Sequence, residues 1–315
     1  MKPLRVLVCG SNYSRIYLEA IRMGGTGYHL AGILARGSAR SQQVASEHGV
    51  PLYLSVEDLP SGIDLACAAM GTSGSDAVLS LLARGIHVLC EHPQKPNYIQ
   101  SALDAAASSR VCFHVNGHFA DLEAAAAFIH YCRQEGLTAS PQFFHVTATD
   151  RSLYAALDIL RRIMASFGSS QFHVISRLPP FAIVQGLLGG VSATFHLQSA
   201  ANGNRLPDAS PSYLVDHRIA ASFPSGTVTL LSMNGPVVWN ANLNRATDPA
   251  GPLFRVVHAE GALDPQMLYK ERVTATLAAV VRIVKSIRDR ATPPEQTPVY
   301  LLDVSRTWES LGGLL

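Results

Sequence analysis

The sequence predicts a two-domain α/β protein, with a doubly wound parallel sheet in residues 1–120 and an α+β domain on a largely antiparallel open sheet in residues 121–315. Three observations carry this prediction. The first third alternates short apolar runs with helical stretches, as parallel strands covered on both faces require. From about Asp121 apolar and polar residues partly alternate along strand-length segments, as in a sheet with one solvated face. At 315 residues, 48% hydrophobic and 15% charged, the chain has the length for two cores and a composition that excludes disorder.

Taken in order, the strand-like runs of the first domain are Arg5–Cys9, Leu30–Ala35, Leu65–Met70, His87–Cys90 and Val111–Val115. Helical patterns fill the gaps at Ser14–Met23, Ala39–Glu47, Ser75–Ala83 and Tyr98–Ser108, and a glycine turn at Gly24–Gly27 separates two of the units. In the second domain an Ala-rich helix at Leu122–Gln134 is followed by a strand at Gln142–Thr149 and a helix at Ser152–Ser166. Strands then follow at Phe172–Arg177, Ser192–Gln198, Leu214–Phe223, Thr227–Met233 and Val237–Ala241. The polar, turn-rich stretch Asn202–Ser212 is expected as a mobile loop. A long helix from about Asp264 to Arg290 precedes the break at Pro293–Pro298, and a short helix after Asp303 closes the chain.

Composition narrows the function. A formal net charge of +2 with dispersed basic residues argues against nucleic acid as the main partner, since phosphate neutralisation needs clustered Lys and Arg. No apolar run reaches the length of a membrane span. The N-terminus enters a strand without the long apolar core of a signal peptide. Five cysteines, four in strand-like runs and Cys132 in a helix, show no metal-ligand spacing; an odd count at such positions reads as reduced thiol and a cytoplasmic setting. No metal site is expected.

The chemistry concentrates at strand ends. Leu4–Cys9 runs into Gly10-Ser-Asn-Tyr-Ser-Arg15 and then a helix, the geometry that presents backbone N–H groups to a phosphate. Only Gly10 keeps the glycine fingerprint; Ser11, Asn12 and Tyr13 are the candidates to meet a pyrophosphate. After the second strand stand Arg36, Gly37, Ser38 and Arg40, where an NAD-selective site places a carboxylate. Arginine is unfavourable at a helix N-terminus, whose dipole is positive, and a bound 2′-phosphate removes that penalty. NADP(H) is therefore the expected cofactor of a Rossmann-type domain. The loop Gly71-Thr72 after the next strand would let the backbone approach the nicotinamide ribose, although an ordinary connecting loop fits it equally well.

The run Gly85–Pro93 delivers Glu91, His92 and Pro93 to the edge where open α/β sheets bind ligands. An unperturbed imidazole titrates near neutrality, which suits His92 to a proton donor's role, and the peptide before Pro93 is a candidate for cis geometry. Asn116 and His118 end the next strand, Asn116 to bond the cofactor and His118 as a second candidate acid. The other histidines read as structural. Asp158, in an apolar helix, reads equally as a paired core acid or a site residue.

The stretch Val88-Leu-Cys-Glu91-His92-Pro93 resembles the Glu-Lys-Pro signature of the glucose–fructose oxidoreductase / inositol dehydrogenase (Gfo/Idh/MocA) superfamily, with His92 at the lysine position. The thiazolinyl imine reductases of siderophore assembly lines carry that histidine, and Leu34–Ser41, Gly49–Tyr53, Ala83–Val88 and Tyr17–Ala20 resemble that branch. The resemblance implies NADPH-dependent reduction of a thiazoline C=N to a thiazolidine. It also implies a substrate tethered to the carrier domain of a nonribosomal peptide synthetase, and a homodimer. The branch pairs the histidine with a tyrosine as proton donor, and Phe119 stands at that position here. The Asp and His of the superfamily's sugar dehydrogenases are not evident in the second domain. A reductase of another small carbonyl, imine or sugar, and an NADP-binding accessory protein without chemistry, are the alternatives that these departures leave open.

Overall fold

The computed structural model describes residues 3–71, 74–199, 213–242, 252–259, 261 and 264–315. These fall into two compact units, the first formed by Met1–His118 with Tyr269–Leu302 and the second by Phe119–Leu268 with Asp303–Leu315. The linear division at residue 120 assigned everything downstream to the second domain, whereas Tyr269–Leu302 packs into the first unit.

The first unit is a six-stranded sheet in the order β3-β2-β1-β4-β5-β6, every pair parallel. Its strands are β1 (Leu4–Cys9), β2 (Tyr28–Leu34), β3 (Leu52–Tyr53), β4 (Leu65–Ala68), β5 (His87–Glu91) and β6 (Phe113–Asn116). Helices α1 (Arg15–Met23), α2 (Ala39–Glu47), α3 (Ser75–Ala83) and α4 (Pro96–Ser109) connect them, and α2 and α3 begin and end where the sequence placed them. The chain winds outward from β1 to β3 and then returns to β4, so the strand order reverses between β1 and β4. Ligands of open α/β sheets bind outside the carboxyl ends at such a reversal. Gly10 lies there with φ +105°, and a Cβ on it would stand 2.6 Å from the Ala69 carbonyl oxygen. Glycine alone fits that approach.

Helix α7 (Pro265–Asp289) completes this unit: its Val273, Ala279, Val280, Ile283 and Val284 share one core with Val6 and Val8 of β1 and with Ile16, Tyr17 and Leu18 of α1. The outermost strand β6 would otherwise present free backbone groups at Val115. Gln296, buried, donates to the Val115 carbonyl at 2.8 Å and accepts from the Val115 N–H at 2.8 Å, which covers the edge there as a further strand would.

The second unit holds an eight-stranded sheet, in which β7 (Phe143–Thr149) and β10 (Val191–Gln198) run parallel and the other pairs antiparallel. The remaining strands are β8 (Gln171–Leu178), β9 (Phe181–Leu188), β11 (His217–Ser222), β12 (Gly226–Leu230), β13 (Val237–Ala241) and β14 (Phe254–His258). Helix α5 (Glu123–Gly136) packs against β12 to β14, and α6 (Leu153–Ile163) against β7 and β11. Val146, Phe195, Ile219 and Val228 are fully buried, as the period-two pattern of these strands requires. Helix α8 (Pro298–Gly312) starts five residues before its expected position, and from Asp303 onward it belongs to this unit. Asp303 receives the Arg161 guanidinium at 2.9 Å and the Phe167 N–H at 2.8 Å. Asn202–Ser212, expected as a loop, lies outside the described residues.

Two core histidines make stability depend on pH. Burial pushes His114, in the first unit, and His217, in the second, down to about 4 from 6.5, with Arg282 and His87 adding to the effect at His114. The unfolded chain then binds protons that the folded chain does not, so stability is intact above pH 6.5 and falls as pH drops toward 4. Each histidine contributes about 1.4 kcal/mol per pH unit across that window. Urea unfolding midpoints between pH 7 and pH 4 should decline accordingly, and His217→Leu should flatten the decline; equal slopes would rule out this assignment.

Candidate functional site

The site is built from the carboxyl ends of β1, β5 and β6 within the first unit. Register sets Glu91, the last residue of β5, beside Asn116, the last residue of β6. His92 follows Glu91 and joins Pro93 through a cis peptide. His92 Nδ1 lies 2.6 Å from the Asn116 carbonyl oxygen and 2.9 Å from Glu91 Oε1. Both of those atoms are acceptors, so Nδ1 carries the proton. His118 is fully buried, with Nδ1 4.0 Å from Glu91 Oε1 and Nε2 3.3 Å from the Tyr13 hydroxyl.

The other Glu91 oxygen, Oε2, accepts from the Tyr17 hydroxyl at 2.5 Å and from Asn116 Nδ2 at 3.3 Å, while Asn116 Nδ2 also donates to the Tyr17 oxygen at 2.7 Å. Burial by itself would raise the Glu91 carboxyl. The hydrogen bond and charge of His92, the charge of His118 and the Tyr17 phenol together hold it below the usual carboxylate range. Glu91 is thus a fixed anion among two imidazoles and two phenols. Burial, then the neighbouring Glu91 charge, pushes the hydroxyls of Tyr17 and Tyr13 upward, so both stay protonated at neutral pH. One donor atom from each of Glu91, His92 and His118 lies within 4.8 Å of the others, the spacing of a metal-binding trio. The proton on His92 Nδ1 and the paired oxygens of Glu91 give that proximity a hydrogen-bonding explanation.

The remaining predicted residues frame this cluster. Ser11, Asn12 and Tyr13 form the turn before α1, and their N–H groups make no backbone hydrogen bond among the described residues. The first turn of α1 carries no acidic residue. Ser14 Oγ, fully buried beside Gly10, has no hydrogen-bond partner among the described residues. These are the features of an anion cradle, and they fit a pyrophosphate. Asn116 Oδ1 is likewise buried without a partner among the described residues and suits the amide N–H of a nicotinamide. Arg36 and Arg40 are exposed and make no ion pair among the described residues, and Gly37 takes φ +78° between them. Ser38, expected at the 2′-phosphate, caps α2 by accepting from the Ser41 N–H at 3.3 Å. Glu91, expected at the cofactor, has both oxygens engaged within the chain. Gly71 takes φ +63° beside open space, and Thr72 lies outside the described residues.

Tyr17 received no role from the sequence. It sits in the apolar stripe of α1, and a buried tyrosine needs a partner for its hydroxyl, which was the one available signal. Asp158 is a paired acid, 3.5 Å from Arg162, and Arg162 also reaches Asp121 at 2.9 Å. The five cysteines are free, and among the described residues no helix is long and apolar enough to cross a membrane.

Residues 4–117 match the oxidoreductase family GFO_IDH_MocA, described as an NAD-binding Rossmann fold, and residues 139–240 match the C-terminal domain described as thiazolinyl imine reductase Irp3-like. The first part of the chain is thus similar to the Gfo/Idh/MocA oxidoreductases and a stretch of the second to the Irp3-like C-terminal domains. No curated protein matches it in sequence. Among solved structures, a UDP-N-acetylglucosamine 3-dehydrogenase from Acidithiobacillus ferrooxidans superposes with TM-score 0.73 at 14% identity, covering 100% of this chain and 98% of its own. An aldose-aldose oxidoreductase from Caulobacter crescentus gives TM-score 0.72 at 13% identity, over 99% of this chain and 97% of its own. An oxidoreductase from Agrobacterium radiobacter, solved with NAD+, gives 0.71 at 14% identity, over 97% and 94%. At these identities the likeness is one of fold, and the chain shares with them the parallel-sheet unit and the mostly antiparallel sheet expected from its sequence.

Proposed function

We propose that the protein is an NADPH-dependent imine reductase that converts the C=N of a thiazoline to a thiazolidine, on an intermediate tethered to the carrier domain of a nonribosomal peptide synthetase. The observation that carries this reading is a carboxylate-backed His92 at the ligand edge of a chain whose second half matches the Irp3-like domains. When bound, the nicotinamide supplies the hydride to the imine carbon. His92 hands a proton from Nε2 to the imine nitrogen as it becomes an amine, and Glu91 stabilises the imidazolium before that transfer. The Asn116 carbonyl holds the ring in one orientation. The turn Ser11–Tyr13 receives the pyrophosphate, and Arg36 and Arg40 hold the 2′-phosphate, which favours NADP over NAD. A homodimer through the face of the eight-stranded sheet away from α5 and α6 belongs to the same reading, as does a cytoplasmic location.

The experiment is NADPH oxidation measured against a synthetic thiazoline, the same thiazoline loaded on a carrier domain, and a panel of free carbonyls and sugars. Turnover of the carrier-loaded thiazoline above the free one is expected. Activity confined to free carbonyls or sugars would replace the substrate class. NADPH binding without oxidation of any substrate would make the protein an accessory one, a reading that Phe119 favours because it leaves no hydroxyl at that position.

A further inference from the structure

At the opposite end of β5 from Glu91, within the first unit, lies a cavity of about 590 Å3. Its walls come from three segments: His87 at the start of β5, Arg110 and Val111 between α4 and β6, and Ile287, Arg290 and Thr292 at and just beyond the end of α7. Strand β5 separates His87 from Glu91 by about 13 Å, and the cavity shares no residue with the candidate site.

This lining is rich in donors, and no carboxylate stands among the described residues that form it. His87 Nδ1 accepts the Cys112 N–H at 2.8 Å, so the ring proton sits on Nε2, for which no described residue provides an acceptor. Burial lowers His87 from its ordinary value against the opposing charge of Asp64, which keeps the ring a neutral donor at pH 7. Asp64 itself accepts the Arg5 N–H at 2.8 Å and does not line the cavity. Arg110 and Arg290 are exposed, and neither guanidinium has an ion pair or a hydrogen bond to a helix carbonyl among the described residues. Both arginines also stand where a chain favours glycine. Arg110 ends α4 at φ +58° and Arg290 follows α7 at φ +52°; among the described residues no other side chain takes a positive φ. The strain at these two positions brings two guanidiniums to one cavity.

We infer that this cavity binds the phosphoryl group of a small anion, either free phosphate or a phosphorylated metabolite. A phosphoryl group presents oxygens in several directions, as suits two guanidinium forks and the His87 Nε2–H converging from three segments. A carboxylate presents two oxygens in one plane, which a single fork satisfies. Val111 and Ile287 add an apolar wall for the rest of a ligand, and the volume falls in the range of small-molecule sites, about 300–1,000 Å3. The inference is independent of the imine reductase reading.

The test uses the whole chain with histidine rings labelled by 15N, the His87 signals being assigned by their loss in His87→Gln. Inorganic phosphate, added against sodium chloride at matched ionic strength, should shift the His87 Nε2 resonance and saturate, while chloride leaves it in place. Arg110→Gly and Arg290→Gly each remove one guanidinium and relieve a positive φ, so their thermal midpoints should hold or rise. Half-saturation by phosphate should rise by about tenfold in each. Arg36→Ala with Arg40→Ala should leave the His87 titration unchanged, which separates this cavity from the cofactor turn. Equal shifts in phosphate and chloride, or half-saturation unchanged in both glycine variants, overturn the inference. Glycerol 3-phosphate saturating below inorganic phosphate would identify a phosphorylated metabolite as the source, and the reverse order free phosphate. Malonate saturating below both would make this a carboxylate site and overturn the assignment.

Discussion

Replacing His92 with alanine is expected to lower turnover by about two to four orders of magnitude while the affinity for NADPH changes little. The magnitude is that of a lost general acid acting on a nitrogen that gains charge as hydride arrives. The split between turnover and affinity follows from geometry: His92 is held by Glu91 and by the Asn116 carbonyl, not by the phosphate turn. His92→Asn keeps a polar side chain without an acid and should fall with His92→Ala. Glu91→Gln should lower turnover as well, since a neutral amide no longer stabilises the imidazolium. If steady-state turnover of His92→Ala matched the unsubstituted protein, the proton would have to come from elsewhere, and the first alternative would be His118.

The second large effect is on cofactor choice. Arg36→Ala together with Arg40→Ala should weaken NADPH binding by about a hundredfold and leave NADH binding nearly unchanged. A hydrogen bond to a charged group contributes about 1.5–3 kcal/mol. Both arginines are exposed, so solvent screening places each at the lower end, about tenfold apiece. Dissociation constants for both cofactors, measured by fluorescence at low and moderate salt, give the comparison. An equal loss for NADH and NADPH would mean that the arginines support the fold of the turn and not the 2′-phosphate. Higher salt should narrow the gap between the two cofactors, because screening acts on the extra phosphate.

Most of the first unit could be read in the sequence because its signals are local. Helices α2 and α3 were placed to the residue by their apolar spacing and flanking turns. Strand β3 escaped because two residues, Leu52 and Tyr53, hold no period. In the second unit, β9 was missed because Phe-Ala-Ile-Val shows no alternation and a Pro179–Pro180 pair precedes it; β14 was missed because Phe254–His258 is a half-exposed strand with mixed residues. Helix α8 begins at Pro298, a residue that reads as a break in sequence but is tolerated in a first helical turn. At the site, Glu91, His92, Asn116 and His118 could be picked out because they end adjacent strands. Their hydrogen-bond pattern could not, since it depends on Tyr17 reaching across from α1 and on Tyr13 meeting a histidine 105 positions away.

The segment Tyr269–Leu302 gives biosynthesis of this chain a particular order. Val273, Val280 and Ile283 close a core whose other members lie between Val6 and Leu89, so a ribosome must make nearly the entire polypeptide before that core can shut. A gene truncated near codon 120 would yield strands with a bare apolar flank and an uncovered Val115 edge, a product suited to chaperone capture or clumping. Complementation in trans by a separate piece bearing 269–302 is the corresponding rescue, and it would show that continuity of the backbone is dispensable where the helix itself is not.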